Sequence, residues 1–298
     1  MWRCTGMRWR EEGARWMWAH PSRGVRASPV RLGAPLHLAV AGDAVRRCAG
    51  VWRRGRGIPC PDSTEVAPGA RRDQCETCAA LDRASSVAAD TVPDDRQPYA
   101  VYLAYFGPGL LKVGITAVAR GRLRLLEQAA VCFTFLGEGP LMAARRTESV
   151  LGSALDVPDR VLDPAKREAR HRLPGPAARA AEVAALHARV TALHDKLPES
   201  LRRAPLRCVD HAEEFGLDTD PPPPPPAAEV TALPPGSAVT GTVRAIAGHD
   251  LHLDTAEGPL LLDARLAAGW PLSRPDGQTL PAPTAPLRPR TPDPDPLF

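Results

Sequence analysis

Lysine and asparagine are nearly missing from this chain. Of 38 basic side chains only Lys112, Lys166 and Lys196 are lysines, and asparagine is absent. An arginine bias of this kind is typical of a high-GC bacterial genome, so composition alone can explain an arginine-rich segment. The missing asparagine means that any role which a protein family gives to that residue has no counterpart here.

Long apolar runs are missing too. No segment approaches the roughly 18 consecutive apolar residues that span a bilayer, and the start Met1-Trp2-Arg3-Cys4 has no apolar signal core. We therefore expect a cytoplasmic protein without a membrane partner. In a reducing cytosol its seven cysteines are poor candidates for disulfides, and metal ligation explains the clustered ones better.

Charge is unevenly distributed along the chain. Residues 1–60 contain twelve arginines against Glu11, Glu12 and Asp43, a net charge of +9, whereas the region after Phe215 contains five arginines against ten acids, a net charge of −5. A basic half suits a polyanion such as DNA or RNA, because binding releases counterions. The genomic arginine bias is the alternative explanation.

Proline-rich and charged stretches divide the chain into segments. The length and the 34 prolines predict two small domains with stiff linkers and tails, in an α/β (α+β) fold. In order, we predict a basic Trp-rich segment (1–47), a four-cysteine zinc-binding segment (48–84), a small core (99–157), a helical extension (158–215), a Pro-rich linker (216–236), a small β module (237–275) and a disordered tail (276–298).

Periodicity within the core predicts the order β-β-α-β-α. Two apolar runs flank the turn Gly107-Pro108-Gly109 and predict a hairpin. A helix follows, on which Arg120, Arg124 and Gln128 recur at four-residue steps, and then a strand and a second helix. The β module shows three short strands between 239 and 263. Because polar residues alternate with leucines at 250–254, we expect a half-exposed strand and no site there.

Four cysteines form the first candidate site. Cys75-Glu76-Thr77-Cys78 is a CxxC knuckle, and Cys48 and Cys60 are the nearby residues that could complete a tetrahedral Zn(II) site. Such a site would stabilise a segment that is too poor in apolar residues to fold unaided. A redox CxxC pair and a segment without metal are the alternatives.

The second candidate site combines a hairpin with two tyrosines, an arginine helix and one glutamate. Glu148 lies seven residues from both Leu141 and Leu155, so it falls within the apolar stripe of its helix. Burying a lone carboxylate is costly, which favours a partner or a metal for it. The alternative is a surface ion pair with Arg145. A base, a phosphate clamp and a metal ligand could come from this set.

These residues resemble the GIY-YIG nuclease superfamily. Ala100-Val101-Tyr102 stands where those enzymes carry their first tripeptide, and Lys112-Val113-Gly114-Ile115-Thr116 resembles the second, with Gly114 as its glycine and Lys112 replacing its tyrosine. The order hairpin, arginine helix, strand and glutamate helix also matches. The superfamily's frequent late asparagine is missing.

The resemblance implies roles for particular residues. Tyr102 would be the general base or its helper, Arg122 (or Arg120 or Arg124) the phosphate clamp, and Glu148 the ligand of one Mg(II) or Mn(II). Lys112 could contact a phosphate. Such enzymes hydrolyse phosphodiesters by in-line attack of water.

A second resemblance covers more of the chain. Four cysteines before the core and the block Leu126-Glu127-Gln128-Ala129-Ala130 resemble an uncharacterised bacterial family of unknown function, chiefly from Cys48 to Leu155. We expect a metal-dependent nuclease or nuclease-like protein. A non-catalytic nucleic-acid-binding protein and a zinc-containing interaction scaffold are the alternatives, and the oligomeric state is left open.

Overall fold

The computed structural model describes residues 1–53, 56–70, 72–84 and 97–287. In chain order the elements are β1 (Arg3–Arg10), β2 (Gly13–His20), β3 (Gly24–Pro29), β4 (Pro35–Val40), β5 (Val51–Arg53), β6 (Arg56–Ile58), α1 (Glu76–Ala84), β7 (Tyr99–Tyr105), β8 (Leu111–Ala117), α2 (Gly121–Glu127), β9 (Cys132–Gly139), α3 (Leu141–Leu155), α4 (Asp163–Ala169), α5 (Pro176–Thr191), β10 (Arg202–Arg203), β11 (Val209–Asp210), α6 (Ala212–Phe215), β12 (Ala228–Val230), β13 (Ser237–Ala247), β14 (Asp250–Thr255), β15 (Gly258–Asp263), β16 (Leu272–Ser273), β17 (Leu280–Pro281) and β18 (Thr284–Pro286). Short 3-10 helices lie at Val118–Arg120, Arg170–Arg172, His194–Lys196 and Ala264–Ala267. The mixed α/β class is confirmed.

The core sheet has the strand order β10-β9-β7-β8, with β11 beside β9. Strands β7 and β8 form the predicted hairpin, and β7, β8, α2, β9 and α3 follow one another in the predicted order. On one face, Val101, Leu103 and Val113 pack with apolar residues of α3 and α5. On the other face, Tyr102 packs with Leu125 of α2. The sheet is thus covered by helices on both sides, and β8 forms its edge.

A second sheet joins distant parts of the chain. Its strand order is β16-β4-β13-β14-β15-β12-β18, with β17 beside β13. Leu36, Leu38 and Val40 of β4 are buried, and Leu38 lies opposite Val239 in an antiparallel register. Strand β4 therefore belongs to the same sheet as the strands of the β module.

The strands of this sheet come from several of the segments that were predicted from composition. Strand β4 falls in the range assigned to a separate N-terminal segment, β12 falls in the predicted linker, and β17 and β18 fall in the predicted disordered tail. Residues 228–230 and 284–286 form backbone hydrogen bonds with each other, which proline content did not indicate. The rest of the tail, 288–298, lies outside the described residues.

The β1-β2-β3 sheet packs its tryptophans against the β module. Trp9 and Trp16 are buried, the indole of Trp9 meets the ring of Phe215 at 5.4 Å, and its Nε1 donates to the Gly248 carbonyl at 2.7 Å. The predicted Trp-rich segment therefore begins with a three-stranded meander whose position is fixed by apolar contacts. Among the described residues, no helix is long and apolar enough to cross a membrane.

Candidate metal centre and candidate active site

The four predicted cysteine ligands lie together. The Sγ atoms of Cys48, Cys60, Cys75 and Cys78 all lie within 4.8 Å of one another, and those of Cys60 and Cys75 are 3.9 Å apart. A tetrahedral zinc with Zn–S bonds of about 2.3 Å separates its sulfurs by about 3.8 Å. The donor set and the spacing both fit Zn(II), and the residues are the four that the sequence predicted.

Local structure explains why these cysteines meet. Strands β5 and β6 bring Cys48 and Cys60 together, and α1 starts directly after Cys75. The backbone N–H groups of Gly50 and Cys75 donate to the Cys48 Sγ at 3.4 and 3.2 Å, which stabilises a thiolate. Gly50 has a φ of +79°, and a Cβ there would lie 2.1 Å from the Ile58 carbonyl oxygen, so only glycine fits.

The hydrogen bonds of the loop also act on the pKa of Cys60. Burial would raise this pKa, but the backbone N–H groups of Thr64 and Asp62 lower it to about 6. The apolar cluster around the sulfurs consists of the cysteines with Val51 and Val66. A cluster this small provides little hydrophobic stabilisation, so metal ligation is a physically reasonable replacement for a core.

Arg46 attaches the cysteine segment to the β module. Its side chain is 1% exposed. It donates to the carbonyls of Ala268 at 2.9 Å, Arg265 at 3.1 Å, Ala67 at 3.0 Å and Ala70 at 2.8 Å. Apart from the position of Arg46 two residues before Cys48, no sequence pattern indicates this role.

The second candidate site is built around Tyr102. Tyr102 lies opposite Gly114 in the hairpin, and a Cβ at Gly114 would lie 2.4 Å from the Tyr102 hydroxyl oxygen. The glycine is therefore needed to admit the ring. The Gln128 Nε2 donates to the Tyr102 hydroxyl at 2.9 Å, and Lys112 donates to the Gln128 Oε1 at 3.0 Å. Lys112, Gln128 and Tyr102 thus form one hydrogen-bonded chain.

Gln128 and Lys166 are site residues that the sequence analysis did not select. Lys166 donates to the Gln128 backbone carbonyl at 3.2 Å, so two of the three lysines in the chain converge on this residue. Their rarity is the signal that could have revealed the site. In an arginine-biased sequence a lysine is less easily explained by composition.

The electrostatics of the site are unbalanced. Burial, followed by the nearby cations Arg124 and Lys166, lowers the pKa of Lys112 to about 8. Burial raises the pKa of Tyr102 and holds the phenol in its protonated form. The pKa of Glu148 is raised by burial, and Lys112 opposes that shift. Lys112 and Glu148 are therefore close enough to influence each other across the edge of the sheet.

Glu148 lines an open groove beside β8. The groove has a volume of about 500 Å³, and its walls include Val113, Arg145, Glu148, Pro158 and Asp159. Arg145 thus lies on the same groove, one helical turn before the glutamate. Among the described residues, Glu148 does not belong to a group of three close metal-ligating side chains. Mg(II) sites often use only one or two carboxylates, with water or phosphate as the other ligands.

The arginines of α2 point in different directions. Arg122 forms an ion pair with Glu214 of α6 and lies 3.7 Å from Glu11. Arg120 and Arg124 interact with Glu127 and act electrostatically on Tyr102. Arg122, our first choice for the clamp, is therefore held by two carboxylates away from the tyrosine. Of these three arginines, Arg124 has the largest electrostatic effect on the pKa of Tyr102 and on that of Lys112.

A third charged cluster lies under α4, where no site was expected. Asp250 and His252 are 2% and 3% exposed, so the prediction of a half-exposed strand is wrong for both. Arg167 donates to Asp250 at 2.7 Å and Arg170 at 3.0 Å. The helical extension covers this strand with arginines. Alternation of polar and apolar residues in a sequence does not show whether the polar side chains face solvent or form buried ion pairs. His249, Asp250 and Asp263 are spaced like metal ligands, but the surrounding arginines already neutralise the carboxylates.

Comparison with known proteins places this architecture in a family. No curated protein and no solved structure matches the chain. Residues 38–272 match the family described as protein of unknown function, DUF2797. The matched region begins in β4 and includes the cysteine cluster, the core sheet and the β module, so it is wider than the region Cys48 to Leu155 on which the sequence resemblance rested. The chain belongs to the DUF2797 family.

Proposed function

We propose that this protein is a metal-dependent nuclease or nuclease-like protein that acts on the phosphodiesters of nucleic acids through a GIY-YIG-like core. The observation that carries the proposal is the position of Lys112. By the resemblance it stands in the place of the second superfamily tyrosine. It is hydrogen-bonded through Gln128 to Tyr102, and its charge acts on the pKa of Glu148. A site with these groups can bind an anionic substrate and move a proton.

Lys112 is the best candidate for the general base. With a pKa of about 8, a useful fraction of the amine is neutral near physiological pH, and a neutral amine can accept a proton from an attacking water. Tyr102 is less suited to that role, because burial raises its pKa. Its hydroxyl instead holds Gln128, which in turn positions the Lys112 amine.

Two further roles complete the proposed site. Arg124 would clamp a phosphate, since its charge already acts on Lys112 and Tyr102. Glu148, with Asp159 across the groove, would hold Mg(II) or Mn(II). When bound, such an ion supplies positive charge to a phosphodiester oxygen.

Cleavage assays test the proposal. A panel of branched, single-stranded and duplex DNA and RNA is incubated with Mg(II) or Mn(II) and with wild type, Lys112→Met or Glu148→Gln. We expect metal-dependent cleavage that each substitution reduces by about 10²-fold or more. The matched controls are Lys196→Met and Glu199→Gln, both at exposed positions, and they should cleave like wild type.

The same assay separates the alternatives. If wild type cuts nothing under any condition, the nuclease proposal fails. Salt-dependent binding without cleavage would then favour a non-catalytic nucleic-acid-binding protein, and neither binding nor cleavage would favour an interaction scaffold.

We also propose that the four cysteines hold structural Zn(II). The sulfur spacing and the N–H donors to Cys48 support this assignment. Metal analysis of the purified protein should find one zinc per chain, and Cys75→Ser should lose it together with thermal stability. Cys208→Ser is the control, because that thiol is exposed and lies outside the cluster. A wild-type protein without zinc would contradict the assignment.

A further inference from the structure

One face of the β1-β2-β3 sheet is lined with arginines. The register places Arg8 of β1 opposite Arg15 of β2, and the two-residue period of a strand puts Arg10 on the same side. Arg3 joins them beyond the β-bulge in β1. We call these four residues the arginine face. The opposite side of the sheet carries the buried residues Trp9 and Trp16.

The positive charge of this face is only partly compensated. Like charges directly opposite each other destabilise a strand pair, yet Arg8 and Arg15 occupy that arrangement. Glu12 lies 3.4 Å from Arg15, and Arg8 interacts with Asp73. Burial and then Arg47 lower the pKa of Arg3. Among the described residues, the buried Nε atoms of Arg3 and Arg8 have no hydrogen-bond acceptor.

Aromatic rings accompany the arginines. The guanidinium carbons of Arg8 and Arg10 lie 5.1 and 5.6 Å from the ring centre of Trp52. Trp52 itself lies over Gly57, where a Cβ would be 3.2 Å from the indole. Stacking on an indole engages the flat side of a guanidinium and leaves its N–H groups available for phosphate oxygens.

We infer that the arginine face and Trp52 bind single-stranded nucleic acid. Half-buried arginines that share one sheet face suit phosphate oxygens, and an indole beside them suits a base, the combination that holds single strands on β-sheet surfaces. Sequence readout of duplex DNA normally uses an element that enters a groove, whereas this face is a sheet surface. An acidic protein would match the charge but would leave the tryptophan unexplained.

This surface is independent of the proposed catalytic residues but adjacent to their helix. The turn between β1 and β2 contacts α2 through Glu11 and Arg122, at 3.7 Å. Strands β1 to β3 precede residue 38, where the family match begins. The arginine face therefore lies outside the matched region and Trp52 lies within it, and the surface that they form would deliver a strand next to α2.

Binding of labelled oligothymidylate to the full-length protein over a series of salt concentrations tests the inference. The double variant Arg8→Gln/Arg10→Gln is compared with Arg172→Gln/Arg189→Gln, which makes the same charge change at exposed positions away from the face. Each lost phosphate contact should reduce the slope of log K against log salt by about 0.7 for a single strand. We expect a reduction of about 1.4 for the first variant and none for the second.

Further variants separate this inference from the proposed function. Trp52→Leu should weaken binding without changing the salt slope, and zinc content verifies that the cysteine segment is intact. Binding is measured without cleavage, so the loss in Arg8→Gln/Arg10→Gln tests this inference whether or not the protein cuts. Equal losses in the two double variants, tighter binding of duplex than of single strands, or binding only to an acidic polypeptide would each overturn the inference.

Discussion

Two clusters of charged side chains lie beside helix α4, and they differ in how far their cations are balanced by carboxylates. Lys166 reaches Gln128 in the candidate active site, while its neighbour Arg167 reaches Asp250. Around Asp250 each cation faces a carboxylate. Around Lys112 the largest charge contributions to its pKa come from the cations Arg124 and Lys166. The carboxylates of Glu148 and Asp159 oppose them less strongly.

The difference is visible in the ionisation of the two clusters. Burial alone would raise the pKa of Asp250, but Arg170 and Arg167 hold it well below its usual range. At Lys112 burial and neighbouring cations act in the same direction and lower the pKa. A compensated cluster stabilises the fold, whereas an uncompensated one gains from an anionic ligand. The comparison therefore supports a structural role for Asp250 and is consistent with the binding or catalytic role proposed for Lys112.

The largest expected effect on the free energy of unfolding comes from removing the Asp250 carboxylate. Asp250→Asn leaves Arg167 and Arg170 buried with incomplete compensation, and it should lower the free energy of unfolding by about 3 to 5 kcal/mol. The control is Asp254→Asn on the same strand, whose ion pair with Arg244 at 3.1 Å is exposed and should contribute about 1 kcal/mol or less. Urea denaturation measures both. Equal effects would show that the buried cluster is not structural.

Acid should weaken the compensated cluster before its carboxylates titrate. Burial, followed by Arg170, lowers the pKa of His252 to about 3 and of His171 to about 4. Between pH 6.5 and about 4 the unfolded chain therefore binds more protons than the folded chain, and stability falls as the pH falls. Each histidine should contribute up to about 1.4 kcal/mol per pH unit.

Chemical denaturation at a series of pH values checks this slope. His252→Gln should make the slope shallower between pH 6.5 and 4, while His37→Gln, at an exposed position of β4, should leave it unchanged. A wild-type stability that does not change over this pH range would contradict a neutral, buried histidine pair.

The smallest expected effect on stability is at the uncompensated site. Lys112→Met removes a charge that the fold disfavours but leaves the Gln128 Oε1 without its donor, so the two contributions oppose each other. We expect a change in unfolding free energy of about 1 kcal/mol or less, with either sign. Lys196→Met provides the surface reference in the same denaturation experiment. A loss as large as that of Asp250→Asn would make Lys112 a structural residue and remove the contrast between the clusters.

The parts of the fold that were predicted correctly are those held by local pairing. The hairpin β7-β8, the arginine helix and the three strands of the β module were visible because alternation and turn glycines report contacts between neighbours in sequence. The pairing of β4 with β13 joins residues far apart in the chain. It leaves no local pattern, so a division by composition could not find it.

The candidate site residues that the sequence analysis selected are also those with a local sequence signal. The four cysteines are distinctive by spacing, and Tyr102, Lys112 and Glu148 by their motif. Arg122 stays an untested prediction, but its pairing with Glu214 favours Arg124 for the clamp. Arg120, Arg124 and Gln128 recur at four-residue steps and share a helix face that Arg122, two residues away, does not share. Gln128 is not ionisable, so no sequence pattern marked it as a site residue. Its place in the site is recognised only from its hydrogen bonds with two lysines.

The pairing of β4 with β13 also sets an order of events during synthesis. Strand β4 is made early, but its partner leaves the ribosome only after the cysteine segment, the core sheet and the helical extension have been translated. Until then Leu36, Leu38 and Val40 have no sheet to cover them, although they are buried in the finished protein. The core can form locally in the meantime, because its strands are neighbours in sequence. Pairing of β4 with β13 then closes one large loop of chain, which contains the cysteine segment, the core sheet and the helical extension.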